Sequence, residues 1–329
     1  MDKNILIILN TDYHVEVALS VYKSLTLIGY KPTIFIIRPD LIKYGLLNYL
    51  FENKIDFITD YVPGICRQLF SKAIVVSAYP TIEIPEGIPR RDYPIFEEFQ
   101  DKDIILIAHR TGMEQNLINK VLCVTPLAEK YNFDHIYLCE NPSERDQMLP
   151  LTYPVTFLIQ GNFFANRRDL FMVDKFLDTT KIPNDKYKFV FIGDNHGKLL
   201  LRNQNHSSVI HLQGLNETLF YESFNNAHFI LPLISEYTAH STYIVERLSS
   251  SLSLSFCFNK PMLIDKDIHE IYKSPSITYS GSNDFIKNVE FIINKINPFD
   301  YMDMVESCRD FKTSLRLHNA KTLYKTLIS

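Results

Sequence analysis

The chain has 329 residues, of which 34 are Lys or Arg and 38 are Asp or Glu, so its formal net charge is −4. This balance argues against a protein whose main partner is a nucleic-acid backbone, because no excess of cations is available to displace counterions; a local basic patch stays open. Hydrophobic residues make up 46% and charged residues 22%, which indicates a globular chain and excludes a disordered one. At about 100–200 residues per domain, the length predicts two domains.

In the first half of the chain, short β-branched runs alternate with amphipathic segments. Apolar residues between positions 15 and 28 recur every three or four residues, which predicts a helix over 14–28 that ends at Gly29. A second helix is predicted over 41–51, and an irregular, proline-rich loop over 79–100. The predicted strands cover 5–9, 33–37, 55–59, 73–77, 104–108, 121–124 and 136–138. Continuous apolar strands that alternate with helices predict a parallel sheet covered on both faces.

The polar segment 140–154 is bounded by prolines and predicts a linker between two domains. A second series of alternating elements follows it. Its predicted strands cover 155–159, 189–192, 209–212, 229–233 and 262–264, and its predicted helices cover 168–177, 217–225, 249–258, 284–296 and 299–327. The sequence therefore predicts an α/β protein made of two Rossmann-like halves.

The five cysteines are scattered along the chain, and no two of them have C-x-x-C spacing. This pattern favours buried free thiols in a reducing compartment over a disulfide framework or a zinc site. The apolar run over 5–9 is too short for a signal peptide or a membrane span. We therefore expect a soluble, cytoplasmic protein without a transmembrane segment; peripheral membrane contact stays open.

Ligands of open α/β sheets bind beyond the carboxyl ends of the strands, so the loops there hold the candidate site residues. Ser249, Ser250 and Ser251 precede an apolar helix, where free amides, the positive end of the helix dipole and hydroxyl groups would bind phosphate. Ordinary N-capping by serine is the alternative.

Two further turns follow strands of the second half. Gly161 and Asn162 come directly after a strand, and Arg168 lies just beyond, where it could neutralise a phosphate or simply lie in solvent at a helix start. Gly193 begins the turn Gly-Asp-Asn-His-Gly. This turn is not G-x-G-x-x-G, so the sequence has no dinucleotide-binding fingerprint there.

Three residues of the first half are candidates for proton transfer. Asp12 and His14 follow the first strand, where either side chain could remove a proton from an acceptor hydroxyl; Asp12 could instead cap the next helix. His109 follows a buried strand, and a structural role is its alternative. Glu236 and Glu246 are further carboxylates of interest. The sequence contains no H-E-x-x-H, Walker or G-x-S-x-G motif.

The order of features over 155–264 resembles the donor-binding domain of GT-B glycosyltransferases. A strand leads to Gly161-Asn162 and the two arginines, and then come FVFIGDNHG, VIHLQGLNETLFYESFNNAHFILPL and YTAHSTYIVERLSSSLSLSFCFNKPMLI. The resemblance implies two Rossmann-like domains facing a central cleft. It implies an acceptor-binding domain over 1–150, a donor-binding domain over 151–298 and a C-terminal helix over 299–329 that returns to the first domain.

The resemblance also implies an activity: metal-independent transfer of a sugar from a UDP- or GDP-sugar to a glycan or small-molecule acceptor, with no other cofactor and no nucleic-acid partner. Asp12 is then the first choice of base, His14 the second, and His109 a donor-side contact. The implied donor-binding residues are Gly161, Asn162, Arg168, Gly193, Ser249, Ser250 and Ser251 for the diphosphate, Leu215, Asn216 and Glu217 for the base or ribose, and Tyr237 and Ser241 for the sugar.

The sequence departs from the resemblance at one point. Many retaining GT-B enzymes have two glutamates about eight residues apart near the donor. Glu236 could match the first, whereas Ser253 stands near the second position. Retention or inversion of the anomeric configuration therefore stays open. A GT-B-fold nucleotide-sugar epimerase and a non-catalytic nucleotide- or glycan-binding subunit are the alternative functions.

Overall fold

A computed structural model of the protein describes residues 3–9, 15–37, 46–76, 98–108, 120–131, 134–140, 149–161, 163, 167–193, 199–235, 238, 243–244 and 248–329. The chain divides into two compact units. The first comprises Met1–Glu144, Glu246–Leu248 and Ser314–Ser329, and the second comprises Arg145–Val245 and Ser249–Thr313.

The described part of the first unit contains a parallel six-stranded sheet in the order β3-β2-β1-β4-β5-β6. Its strands are β1 (Asn4–Leu9), β2 (Lys31–Ile36), β3 (Phe57–Ile58), β4 (Lys72–Val76), β5 (Ile104–Ala108) and β6 (Lys120–Cys123). The helices are α1 (Val15–Leu27), α2 (Leu46–Glu52) and α3 (Cys66–Leu69). The central strand β1 is buried from its second residue onward, as its apolar run requires in a sheet covered on both faces.

The second unit contains another parallel six-stranded sheet, in the order β12-β11-β10-β7-β8-β9. Its strands are β7 (Val155–Gln160), β8 (Tyr187–Ile192), β9 (Val209–Leu212), β10 (Phe229–Ile230), β11 (Met262–Asp265) and β12 (Ser276–Tyr279). Its helices are α4 (Leu170–Thr179), α5 (Glu217–Asn225), α6 (Ser250–Phe258), α7 (Lys266–Tyr272) and α8 (Gly281–Asn294). The last helix, α9 (Pro298–Ile328), contributes residues to both units.

The predicted α/β architecture with two Rossmann-like sheets is confirmed. Most predicted elements lie within two residues of the observed ones; the helix predicted from 168 begins at Leu170, and the strands predicted over 55–59 and 229–233 are shorter in the structure. The short elements α3, α7 and β12 were not predicted. The predicted loop over 79–100 lies almost wholly outside the described residues.

The strand predicted over 136–138 is reduced to a single parallel β-bridge between Cys123 of β6 and His135. The side-chain amide of Asn319 on α9 satisfies both backbone groups of Tyr137: Tyr137 N donates to Asn319 Oδ1 at 2.8 Å, and Asn319 Nδ2 donates to Tyr137 O at 2.7 Å. Arg316 on the same helix forms two hydrogen bonds, of 2.8 and 2.7 Å, with the buried Glu140 carboxylate. A helix therefore takes the hydrogen bonds that a neighbouring strand would have made.

The chemistry of the cysteines follows from their positions. All five are free and buried, as the sequence predicts. Burial raises the pKa of Cys123 and of Cys308 to about 12, so both are thiols at neutral pH.

No helix in the described part of the chain is long and apolar enough to cross a membrane.

Candidate functional site

The candidate site lies at the carboxyl edge of the second sheet, where the strand order reverses. From β7 the chain builds β8 and β9 on one side of the sheet and then β10, β11 and β12 on the other. In open α/β sheets, such a reversal leaves a crevice that binds ligands. Gln160, the last residue of β7, borders this point, and hydrogen bonds join it to the first turn of α6.

The N-terminus of α6 lacks a side-chain cap. Ser249 occupies the N-cap position in an extended conformation, but its side chain forms no capping hydrogen bond. The residue is 2% exposed, and its Oγ has no partner among the described residues. The serine-capping alternative is therefore not realised by this side chain. Leu252 N and Ser253 N donate to Ser249 O, at 3.0 and 3.4 Å, whereas the N–H groups of Ser250 and Ser251 precede these first intrahelical hydrogen bonds, so this end of α6 can donate to a ligand.

A buried arginine lies directly beside this helix end. The Arg168 guanidinium donates to Gln160 O through Nη2 (2.8 Å) and Nε (3.2 Å), to Arg167 O (3.0 Å) and to Ser251 Oγ (3.1 Å). It is 4% exposed and forms no salt bridge with a carboxylate in the described parts of the chain. Burial lowers the pKa of Arg168, yet an arginine remains charged at neutral pH. The alternative of a solvated arginine is therefore wrong, and the site holds a positive charge without a counter-ion among the described carboxylates.

Two predicted glycines serve close packing beneath the site. Gly161 has a φ of +128°, and a Cβ there would lie 2.5 Å from Arg168 Nη2. A Cβ on Gly193 would lie 3.0 Å from the carbonyl carbon of Gly161 and closer still to its oxygen. Gly161 N also donates to Ile192 O at 3.0 Å. Because neither glycine has a side chain, the ends of β7 and β8 can pack closely against each other, and Gly161 can pack against Arg168.

Sequence reasoning missed the contribution of Gln160. Its Oε1 accepts hydrogen bonds from Ser250 Oγ and Ser251 Oγ, both at 3.1 Å. The two hydroxyls that we assigned to phosphate therefore already have an acceptor within the protein. The position of Gln160 at the end of a central strand was the signal available in the sequence.

Tyr243 was missed for a similar reason, because it belongs to no motif. The charges of Arg167 and Arg168 act on its hydroxyl. Burial of the phenol raises its pKa, but the positive charges of Arg168 and Arg167 outweigh that effect and lower the pKa of Tyr243 overall. The arginines therefore extend the positive potential of the site to an adjacent hydroxyl.

The residues assigned to the base or ribose lie farther along the same edge. Leu212, the last residue of β9, is in register with Gln160 two strands away, a separation of about 10 Å, and the predicted residues Leu215, Asn216 and Glu217 follow it after a short turn. Asn216 caps α5, since its Oδ1 accepts from Leu219 N at 2.8 Å. Their contact with a nucleoside stays a prediction.

Several predicted residues lie outside the described residues. They are Asp12, His14, His109, Asn162, Glu236, Tyr237, Ser241 and Glu246. Among the side chains that are described, no three His, Cys, Asp or Glu residues come together in a way that could hold a metal ion.

No protein-family model matches the chain, and no curated protein matches its sequence. Solved structures do match it over nearly the full length. A point mutant of T4 phage BGT in complex with UDP-glucose has a TM-score of 0.61 at 13% identity, covering 98% of this chain and 99% of the other. A glycosyltransferase from Rickettsia africae has a TM-score of 0.60 at 11% identity, covering 99% and 98%. The chain has the GT-B glycosyltransferase fold.

A third GT-B structure, the E. coli trehalose-6-phosphate protein bound with UDP-2-fluoro glucose, has a TM-score of 0.56 at 8% identity and covers 98% of both chains. At these identities the likeness establishes the fold. The roles of individual residues must come from their geometry in this chain.

Proposed function

We propose that the chain is a glycosyltransferase that transfers a sugar from a nucleoside-diphosphate sugar to an acceptor hydroxyl without a metal ion. The observation that carries this proposal is the buried Arg168 guanidinium, which has no carboxylate partner among the described residues and lies beside the uncapped end of α6. Burying an unpaired charge costs several kcal/mol in general, so a bound anion would stabilise this site.

A diphosphate group satisfies this site in charge and in hydrogen bonding. The N-terminus of a helix carries about half a positive charge, which adds to the charge of Arg168. The free amides of α6 and the unpartnered Ser249 Oγ supply donors for phosphate oxygens. Two structures with the same fold contain UDP-glucose or UDP-2-fluoro glucose, which supports a UDP-sugar as the donor.

The same groups would assist departure of the nucleoside diphosphate. When the bond between the sugar and the diphosphate breaks, negative charge grows on the leaving phosphate. A buried guanidinium and a fixed helix dipole stabilise that developing charge more than they stabilise the intact donor, and this difference accelerates the reaction. Positive charge from the protein thereby takes the place of a metal ion.

The remaining roles are proposals that follow the sequence. Asp12, or failing that His14, would accept the proton of the acceptor hydroxyl, with His109 on the donor side. The acceptor would be a glycan or a small molecule, and the five free thiols suit a cytoplasmic location.

The test is incubation of the protein with UDP- and GDP-sugars, with and without candidate acceptors, in EDTA. We expect nucleoside diphosphate to be released and sugar to appear on the acceptor, at a rate that EDTA does not change. Formation of an epimer without acceptor would instead show an epimerase, and binding without turnover would show a non-catalytic subunit. Loss of activity in EDTA that Mn²⁺ restores would refute the metal-independent mechanism.

Two matched substitutions test the role of Arg168. Arg168→Met should weaken UDP binding at least tenfold, because the buried positive charge beside the proposed phosphate position is lost. Arg202→Met removes an exposed arginine that pairs with Asp178 and should leave UDP binding unchanged. Urea unfolding of both variants checks that each is folded. Equal UDP affinity of Arg168→Met and wild type would contradict the proposed site.

A further inference from the structure

The side-chain amide of Gln160 has a defined orientation at the mouth of the site. Its Oε1 accepts a hydrogen bond from Ser250 Oγ at 3.1 Å and shares the single hydroxyl proton of Ser251 with the backbone Gln160 O, since both oxygens lie 3.1 Å from Ser251 Oγ. Ser251 Oγ in turn accepts from Arg168 Nη2 at 3.1 Å, so its position is fixed by a buried group. Hydrogen bonds to an amide oxygen decide which way the amide faces.

The amide nitrogen of Gln160 is consequently left as a donor. Among the described residues, Nε2 has no hydrogen-bond acceptor. Gln160 is only partly buried, whereas the Ser250–Ser251 side of its amide is hydrogen-bonded to the protein. Nε2 therefore presents two N–H groups beside the first turn of α6.

The surroundings of this nitrogen favour an anionic acceptor over a neutral one. Three features of positive or donor character meet there: the end of the α6 dipole, the unpaired charge of Arg168, and the buried Oγ of Ser249, which has no partner among the described residues. The buried and unpartnered Ser249 Oγ is independent of the Gln160 contacts.

We propose that Gln160 is a ligand-binding residue that donates a hydrogen bond from Nε2 to a phosphate oxygen of the bound diphosphate. Ser250 and Ser251 then act as positioning residues, because their hydroxyls hold Oε1 and thereby aim Nε2 at the ligand. This inference rests on the proposed function, since it takes the diphosphate of a nucleotide sugar as the ligand.

The opposite role would have the opposite effect on binding. If Oε1 of Gln160 occupied the place of a phosphate oxygen at the start of α6, the side chain would block the site. Its removal would then tighten ligand binding. The direction of the affinity change on substitution of Gln160 therefore distinguishes a side chain that donates to the ligand from one that blocks the site.

The experiment measures binding by calorimetry on the full chain, with inorganic pyrophosphate and UDP-glucose as probes. Gln160→Met keeps the length of the side chain and removes the donor, so we expect about tenfold weaker binding of both probes at pH 8. Gln160→Glu lets the serine hydroxyls donate as before but places a negative oxygen where Nε2 was. We expect its binding to be weaker still, by about 100-fold, because like charges repel.

The pH dependence of Gln160→Glu gives a readout that a structural role would not produce. Protonation of the glutamate restores a donor and removes the charge, so binding of UDP-glucose should recover partly as the pH falls from 8 toward the ordinary glutamate pKa of about 4.3. UDP-glucose is the probe for this comparison because it lacks a terminal phosphate, whose second proton titrates near about pH 6. Gln160→Met should show no such recovery relative to wild type.

Three results would overturn the inference: tighter binding by Gln160→Met, unchanged binding by Gln160→Glu, or binding by Gln160→Glu that does not recover at low pH. Urea unfolding identifies a variant that fails to fold, and Gln160→Asn, which withdraws the amide by one methylene, then replaces it with the same expected loss as Gln160→Met. If wild type binds neither probe, the proposed function fails together with this inference. If wild type binds and these variants bind equally well, only the inference fails.

Discussion

Replacement of Gly193 by alanine tests the close packing beneath the proposed phosphate site. The new Cβ would lie 3.0 Å from the carbonyl carbon of Gly161, whereas ordinary contact begins at 3.4 Å, so this pair alone must separate by 3.4 − 3.0 = 0.4 Å. The carbonyl oxygen is closer and must move farther. Both atoms belong to backbone that is tied to β8 by the hydrogen bond from Gly161 N to Ile192 O, at 3.0 Å.

The expected cost of Gly193→Ala is the sum of two effects. Overpacking costs about 1–3 kcal/mol, and weakening of the hydrogen bond from Gly161 to Ile192 costs about 1 kcal/mol, so the free energy of unfolding should fall by about 2–4 kcal/mol. With a urea dependence of about 2 kcal/mol per molar, the unfolding midpoint of the second unit would fall by about 1–2 M. Pyrophosphate binding should weaken as well, because Gly161 packs directly against the Arg168 guanidinium.

Gly281→Ala is the matched control in the same unit. Gly281 has a positive φ, of +77°, but a Cβ there would meet nothing within 4 Å. Its cost is therefore the backbone strain alone, about 1–2 kcal/mol, with no change in pyrophosphate affinity. If Gly193→Ala unfolds at the same urea concentration as Gly281→Ala and binds pyrophosphate like wild type, the packing argument is refuted.

Two further predictions concern acid stability and the cap of α5. Burial lowers the pKa of His135, with the charge of His318 adding to the effect, and burial lowers the pKa of His228, in both cases to about 4. The unfolded chain binds a proton at each histidine from about pH 6.5 downward, whereas the folded protein does not until about pH 4. The contribution of each histidine to stability is therefore full above pH 6.5, and about 3 kcal/mol of unfolding free energy should be lost per histidine as the pH falls to 4, measured by urea unfolding from pH 7 to 4. An equally steep loss of stability in His228→Asn would contradict this for His228. Asn216→Ala should cost about 1 kcal/mol in urea unfolding because the cap of α5 is lost, and it should weaken UDP binding more than pyrophosphate binding if the predicted nucleoside contact exists; equal affinity changes for the two ligands would contradict that contact.

The sequence by itself determined most of the secondary structure and the type of sheet. The predicted bounds of β9 and α5 coincide with the observed ones, because an apolar strand followed by an Asn cap is a signal contained in neighbouring residues. The serine run at the start of α6 was likewise visible in the sequence. Such signals are local, so they do not depend on how distant segments pack.

Only the tertiary structure decided what those residues contact. From the sequence, Arg168 could be either a solvated or a phosphate-binding residue. Only the folded unit shows that it is buried and that it contacts Ser251, 83 positions away. Tyr137 has the sequence of a strand, yet Asn319, 182 positions away, takes its backbone hydrogen bonds. Local propensity is worth tenths of a kcal/mol per residue, whereas a buried polar group left unpaired costs about 1–3 kcal/mol. Contacts between distant residues therefore override local preference where polar groups become buried, and the candidate phosphate site is such a place.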